Sequence, residues 1–256
     1  MERMTDAPAA PAQAADRARP NDYDSFAEAY AAQNEDSLVN AYYERPAMLA
    51  LAGDVAGRRI LDAGCGAGAL SAELRDRGAE VTGVDAGAAM VALAERRLGD
   101  GVPLHVTDLR DPLPFEDGAF DDVVASLVLH YLEDWGPTLA ELRRVLRPGG
   151  RLIASVDHPF VAYTLQEPRP DYSATTSYSF EWSFDGRLVP MTFWRKPLHA
   201  MTEAFTAAGF RLSALSEPQP DPAARELFPE GFRDLSTRPC FLFFVLEARP
   251  ATGADG

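Results

Sequence analysis

From Arg59 onward, short apolar runs alternate with stretches whose apolar positions recur every three or four residues. Short apolar runs suit strands buried on both faces, and the three-to-four recurrence suits amphipathic helices. RRILDAG therefore predicts a strand, GALSAELRDRG a helix stopped by Gly78, and EVTGVDA a second strand. AAMVALAERRLG predicts a helix ended by Gly99, PLHVTDL a third strand and FDDVVASLVL a near-continuous fourth. The helix PTLAELRRVL runs into the stop RPGG, and RLIASVDH supplies a fifth strand. Such alternation implies an α/β, doubly wound sheet, mainly parallel and covered on both faces. Upstream, YDSFAEAYAAQ and SLVNAYYERPAMLALA read as helices, with Ser37 capping the second.

The rhythm breaks between His158 and Pro197, where nine of the chain's 25 aromatic residues fall within 40 positions. YSFEWSF and RLVPMTF flank Asp185-Gly186, a pair suited to a two-residue hairpin turn. In that register Tyr178, Phe180, Trp182 and Phe184 share a face with Val189, Met191 and Phe193, while Glu181 points away. The wound pattern then resumes with the helix PLHAMTEAFTAAG and the strands FRLSALSEP and PCFLFFVLEAR. We expect a core of residues 21–157 and 198–248, with residues 158–197 inserted after the fifth strand as an aromatic β-hairpin cap. Residues 1–20 and 249–256 read as a disordered leader and tail.

Charge narrows the possible partners. The 256 residues carry a formal charge of −15, the opposite of what a phosphate backbone or an anionic membrane surface attracts. No uninterrupted apolar run approaches the length of a bilayer span. Cys65 and Cys240 stand too far apart in sequence to suggest a disulfide framework or a metal site. The expectation is a soluble, cytoplasmic protein that binds neither nucleic acid nor membrane, with a homodimer left open.

The candidate chemistry lies in ILDAGCGAG, residues 60–68. Gly64-x-Gly66-x-x-Ala69, with Asp85 closing the next strand, matches a relaxed dinucleotide fingerprint, so an NAD(P)-dependent oxidoreductase is one reading. Two features oppose it. Asp62 sits immediately before the glycines, where it would repel pyrophosphate but attract an ammonium, and Gly68 tightens the loop further.

ILDAGCGAG, followed by VTGVDAG, VTDL, FDDVVASLVLHYL and LRPGG, resembles the class I S-adenosylmethionine (SAM) dependent methyltransferases, of the kind that modify small molecules. The resemblance implies a Rossmann-like sheet of seven strands whose last strand, PCFLFFVLEAR, is antiparallel, and it implies SAM as cofactor. It also assigns roles. Gly64, Gly66 and Gly68 would let the main chain approach the methionine and ribose of SAM, and Asp62 would hold the methionyl ammonium. Asp85 would take the ribose hydroxyls, Ala86 would pack on the adenine, and Asp108 with Leu109 would meet the adenine edge. Ser126 and Leu127 would lie by the methionine chain, and Tyr23, Phe26 and Tyr30 match a leading helix that closes over the cofactor.

Methyl transfer needs a general base only where the acceptor must lose a proton. His130 and His158, just past the fourth and fifth strands, are the candidates, each equally suited to structural hydrogen bonding. The substrate is expected to be a small, apolar or aromatic metabolite under the cap, lined by Tyr178, Phe180, Trp182, Phe193 and Trp194. The same aromatic face could instead pack on the core or on a second subunit. Arg195 could receive an anionic substrate group or form surface pairs. Oxygen, nitrogen and carbon acceptors all stay open, as does a SAM-binding protein that transfers no methyl and serves cyclisation or regulation. The strand ending SLVLHYL lacks the proline-rich pattern of enzymes that methylate nucleic-acid amino groups.

Overall fold

The computed structural model describes residues 21–184 and 186–249. The expected leader, the turn residue Asp185 and the tail from residue 250 lie outside the described residues. Seven strands form one sheet in the order β3-β2-β1-β4-β5-β9-β8. β1 (Arg59–Ala63), β2 (Glu80–Asp85), β3 (Leu104–Val106), β4 (Phe120–Ala125) and β5 (Leu146–Asp157) run parallel. β9 (Phe241–Ala248) lies antiparallel between β5 and β8 (Phe210–Ser216). Phe241 to Leu246 are all buried. The strand has helices on both sides, which explains a run of six apolar residues with no polar alternation.

The helices sort to the two faces. One face carries α2 (Arg45–Ala52), α3 (Ala69–Asp76) and α4 (Ala88–Leu98), and their apolar sides join Ile60, Val81, Ile153 and Phe243 in one core. The other carries α5 (Gly136–Val145) and α7 (Leu198–Ala207), packed with Leu61, Val123, Leu152 and Phe244 around Trp135. Trp135 is buried, and its indole N–H donates to Leu129 O at 2.8 Å.

Three local departures from the sequence reading shape the site. The apolar run of the fourth strand continues to Leu129, yet β4 ends at Ala125. Leu127 adopts φ 48°, a left-handed conformation costly for a side chain with a Cβ. Its N–H is turned onto Ser155, and a 3₁₀ turn over Leu129–Tyr131 follows. Conversely, LRPGG does not separate α5 from the fifth strand, because β5 starts at Leu146 and runs through it. A Cβ on Gly150 would lie 2.8 Å from Asp121 O, so a glycine is required where the two backbones meet.

The third departure precedes α2, where residues 40–44 wind as a π-helical turn. Ser37 caps the segment as expected, its Oγ accepting from Asn40 N at 3.2 Å. Pro46 has no N–H to offer the preceding turn. The carbonyl of Tyr42 accepts instead from Asp221 N at 2.6 Å, so the irregular turn leaves no orphaned group there.

The hairpin forms its own two-stranded sheet from β6 (Thr176–Phe184) and β7 (Arg187–Arg195), with Tyr178 opposite Phe193, Phe180 opposite Met191 and Trp182 opposite Val189. This is the register expected from the sequence. Its aromatic face is closed by the leading segment. Phe26 stacks on Phe184 with ring centroids 4.8 Å apart, and Tyr30 stacks on Trp182 at 6.5 Å. The Asn21 side chain both donates to Thr192 O and accepts from Thr192 N at 2.8 Å, in the manner of a strand partner. α1 (Ala27–Glu35) is also tied to α4 through Glu28–Arg96 and Glu35–Arg97.

Candidate functional site at the strand ends

The C-terminal ends of β3, β2, β1 and β4 open into a cavity of about 770 Å³, within the range of roughly 300–1,000 Å³ usual for small-molecule sites. Strand polarity explains the position. In a parallel sheet the loops leaving the strand ends diverge, and side chains from several strands converge in the crevice between them. Asp62, Gly64, Gly66, Asp85, Ala86, Asp108, Leu109, Ser126, Leu127, Tyr23 and Tyr30 all line it.

Asp62 is 1% exposed and its two oxygens differ. Oδ2 accepts from Ser71 Oγ at 2.6 Å, whereas Oδ1 is buried and has no hydrogen-bond partner. Burial, with smaller contributions from Asp85 and Glu44, pushes the carboxyl up to about 7. A buried acceptor without a donor costs about 1–3 kcal/mol, and a cationic ligand in the cavity would relieve it.

Asp85 organises the loops. Its Oδ2 accepts from Gly66 N at 2.9 Å and its Oδ1 from Gly87 N at 2.8 Å, so one carboxylate joins the glycine loop to the turn after β2. The Gly66 amide, which a pyrophosphate would need as a donor, is thereby committed to an acid. Asp108 pairs with Arg110 Nη2 at 2.7 Å and also accepts from Arg110 N at 2.9 Å.

The three loop glycines do different jobs. Gly66 has φ 52° and open space where a Cβ would stand, and it faces the cavity. Gly64 also lines the cavity, but a Cβ there would lie 2.5 Å from Val128 Cγ2, so the packing of the loop after β4 demands glycine as well. Gly68 does not face the cavity. It opens α3 at φ 77°, pressed against Leu98 and Ala94 of α4. Its expected approach to a ligand is replaced by close helix–helix packing.

The candidate bases lie elsewhere. His130 is 4% exposed and outside the cavity lining. Its Nδ1 accepts from Asp157 N at 3.1 Å, and burial holds the imidazole below its usual range, so the ring is a neutral structural acceptor. His158 caps the short helix α6 (Pro159–Thr164), accepting from Phe160 N at 3.3 Å, while Nε2 meets Glu217 Oε1 at 2.9 Å. Neither ring faces the cavity, since the chain turns both back onto β5 and its loop.

The expected substrate residues divide by hairpin face. Trp194 lines the cavity together with Ser177 and Thr192. Tyr178, Phe180, Trp182 and Phe193 stand on the opposite face and do not. Tyr178 and Phe193 are buried in the cluster with Phe26 and Met191, and Tyr178 Oη donates to Asp157 Oδ2 at 2.5 Å. Arg195 is 2% exposed. Its guanidinium donates to the carbonyls of Asp171 and Tyr172 at 3.1 Å and to that of Ala174, and it sits over the Tyr163 and Tyr172 rings. It anchors the 171–174 loop and is not offered to an anionic substrate.

Several lining residues escaped the sequence reading, among them Tyr131 and Glu44. Tyr131, in the 3₁₀ turn after β4, hydrogen-bonds through its hydroxyl to that of Tyr23. Glu44 is 3% exposed, and its Oε1 accepts from Ser126 Oγ at 2.7 Å and Ser155 Oγ at 2.6 Å. The signal for Glu44 was a lone acid on the inward side of an apolar helix.

The chain is similar in sequence and fold to known proteins. Residues 61–154 match the family described as "Methyltransferase domain". Residues 61–154 are thus similar to a methyltransferase domain. A demethylmenaquinone methyltransferase of Thermus thermophilus is 44% identical over 108 residues, 40% of this chain and 49% of that one. The match thus spans about half the length of such curated relatives. A solved S-adenosylmethionine dependent methyltransferase of Mesorhizobium loti superposes with a TM-score of 0.62 at 26% identity, over 79% of this chain and 96% of the other. The [4+2]-cyclase SpnF, at 19% identity, a TM-score of 0.60 and coverage of 90% and 95%, shares the chain's fold. Among the described residues no helix is long and apolar enough to cross a membrane, and no group of three or more His, Cys, Asp or Glu could hold a metal ion.

Proposed function

We propose that the protein binds SAM in this cavity and transfers its methyl group to a small metabolite. The observation that carries the reading is Asp62 Oδ1, a buried acceptor without a donor at the end of β1. The ammonium of a methionyl group supplies the missing donors and the missing charge. Asp85 and Asp108, one and two strands further along, are placed for a ribose and an adenine edge, and Ala86 and Leu109 for the flat faces between. SAM supplies an electrophilic methyl group on a sulfonium. The chain binds and orients, and Tyr23, Tyr30 and Tyr131 form a wall that limits water at the reacting end.

The acidic lining also bears on the substrate. Asp62, Asp85 and Glu44 place negative charge deep in the site, which favours a neutral or cationic acceptor over a phosphorylated one. Trp194 offers the face for an apolar or aromatic ring. The NAD(P) reading is disfavoured by Asp62 and by the Asp85–Gly66 bond, both of which oppose a pyrophosphate. The likeness to a cyclase keeps a second reading in view, in which SAM is bound but not consumed.

Calorimetry with SAM, S-adenosylhomocysteine and NAD(P)H, followed by incubation of methyl-labelled SAM with a broad acceptor library, tests all three. Label moving to an acceptor is the expected result. SAM binding without label transfer selects the cyclase-type reading, and NAD(P)H binding without SAM binding overturns the proposal.

A further inference from the structure

Four carboxylates follow the strand order across the cavity. Asp108 lies just past β3, Asp85 ends β2, Asp62 is on β1, and Glu44 reaches over the ends of β4 and β5 through Ser126 and Ser155. The first three match the adenine, ribose and ammonium of SAM in the reading above, on which this inference rests. Glu44 is the next group along, on the β4 and β5 side of the cavity. We propose that Glu44 binds the acceptor, taking a hydrogen bond from its O–H or N–H and then its proton.

The carboxylate is built for this position. Oε1 is held by two serine hydroxyls, so the group cannot rotate freely, and Glu44 lines the cavity. Ser155 also accepts from Leu127 N at 2.9 Å, which couples Glu44 to the left-handed residue at the end of β4. Strained backbone of that kind is held in place only by its surroundings and concentrates at working sites. The carboxylate ends a π-helical turn, another irregularity common where a side chain must be aimed. Burial raises Glu44 above the ordinary carboxyl range, against the lowering effect of the two serines and Arg45. That makes it a stronger base than a surface glutamate.

The step balances without a further reactant. The acceptor heteroatom forms a bond to the methyl carbon, the carbon–sulfur bond breaks, and sulfur keeps that electron pair. The O–H or N–H electrons remain on the acceptor, and the proton passes to Oε2. The other titratable groups facing Glu44 are Asp62 from β1, Tyr30 from α1 and the adjacent Arg45.

Glu44→Gln keeps the shape and the serine hydrogen bonds and removes the base. Calorimetry of the full chain loaded with S-adenosylhomocysteine, where no transfer can occur, is run with catechol and with tryptamine as probes. At least one probe should bind the wild type and bind Glu44→Gln at least tenfold more weakly, with S-adenosylhomocysteine affinity within twofold. On the acceptor found with labelled SAM, kcat/KM at saturating SAM should fall at least about 100-fold. Its acid limb should flatten in Glu44→Gln and return in Glu44→Asp. Neither probe binding the wild type, or equal binding and turnover by Glu44→Gln, overturns the assignment. Failure of the wild type to bind S-adenosylhomocysteine overturns the cofactor reading instead.

Discussion

Asp62 makes SAM affinity a function of pH. In the free protein burial pushes its carboxyl up to about 7, so near pH 6 the residue is mostly protonated and carries no charge for an ammonium. If only the ionised form binds SAM tightly, the apparent Kd is the intrinsic value divided by the ionised fraction. Below pH 6 each further unit should therefore cost about tenfold in affinity, or about 1.4 kcal/mol. The ligand's own ammonium, with an α-amino pKa of roughly 7.7–8.0, caps the rise, so affinity should peak between about pH 7 and 8. Stability runs the other way. The raised folded-state pKa means the folded chain holds more protons than the unfolded one between about pH 4 and 7, so this group's contribution declines as pH rises through that window.

Titration calorimetry in buffers of different ionisation heat checks both affinity and proton count. At pH 6 the wild type should release close to one proton per SAM bound. Asp62→Asn, which keeps the Ser71 contact but cannot ionise, should bind weakly at every pH and release almost none. A wild-type Kd flat from pH 5 to 7, or an Asp62→Asn variant that keeps the wild-type pH dependence, would refute the reasoning.

Three further outcomes follow from the geometry. Gly64→Ala combines a positive φ with a 2.5 Å approach to Val128 and should lower stability by about 2–4 kcal/mol in thermal or denaturant unfolding, with Val128→Ala restoring part of the loss. Arg195→Met should loosen the 171–174 loop and its aromatic neighbours, seen as faster proteolysis or hydrogen exchange there, with SAM affinity unchanged. Trp194→Ala should raise the acceptor KM several-fold while leaving SAM affinity within twofold, and a variant that loses SAM binding instead would place Trp194 on the cofactor.

Much of the framework was legible in the chain because it rests on local periodicity. Short runs such as ILDA and FLFFVL, too brief for helices and rich in apolar residues, suit strands buried on both faces, and Gly78 and Gly99 stop helices wherever those helices pack. The hairpin register followed from alternation across a two-residue turn. Asp62, Asp85 and Asp108 were legible as cavity residues because strand polarity sends each strand end to the same crevice.

What the sequence could not decide was which face of an element meets which neighbour. The aromatic side of β6 and β7 is as apolar as any ligand pocket, but the leading helix fills it with Phe26, Tyr23 and Tyr30, leaving Trp194 on the other side to meet the cavity. His130 and His158 sit at the right places in the chain, yet the departure of Leu127 from the strand turns one inward, and a helix start claims the other. Glu44 is more than 80 residues from Ser126 and more than 100 from Ser155 in sequence, and only the packing of α2 against β5 brings its carboxylate to them. Periodicity determines the elements because it is local. The roles of Gly68, Trp194 and Glu44 depend on contacts between distant segments, which only the tertiary structure sets.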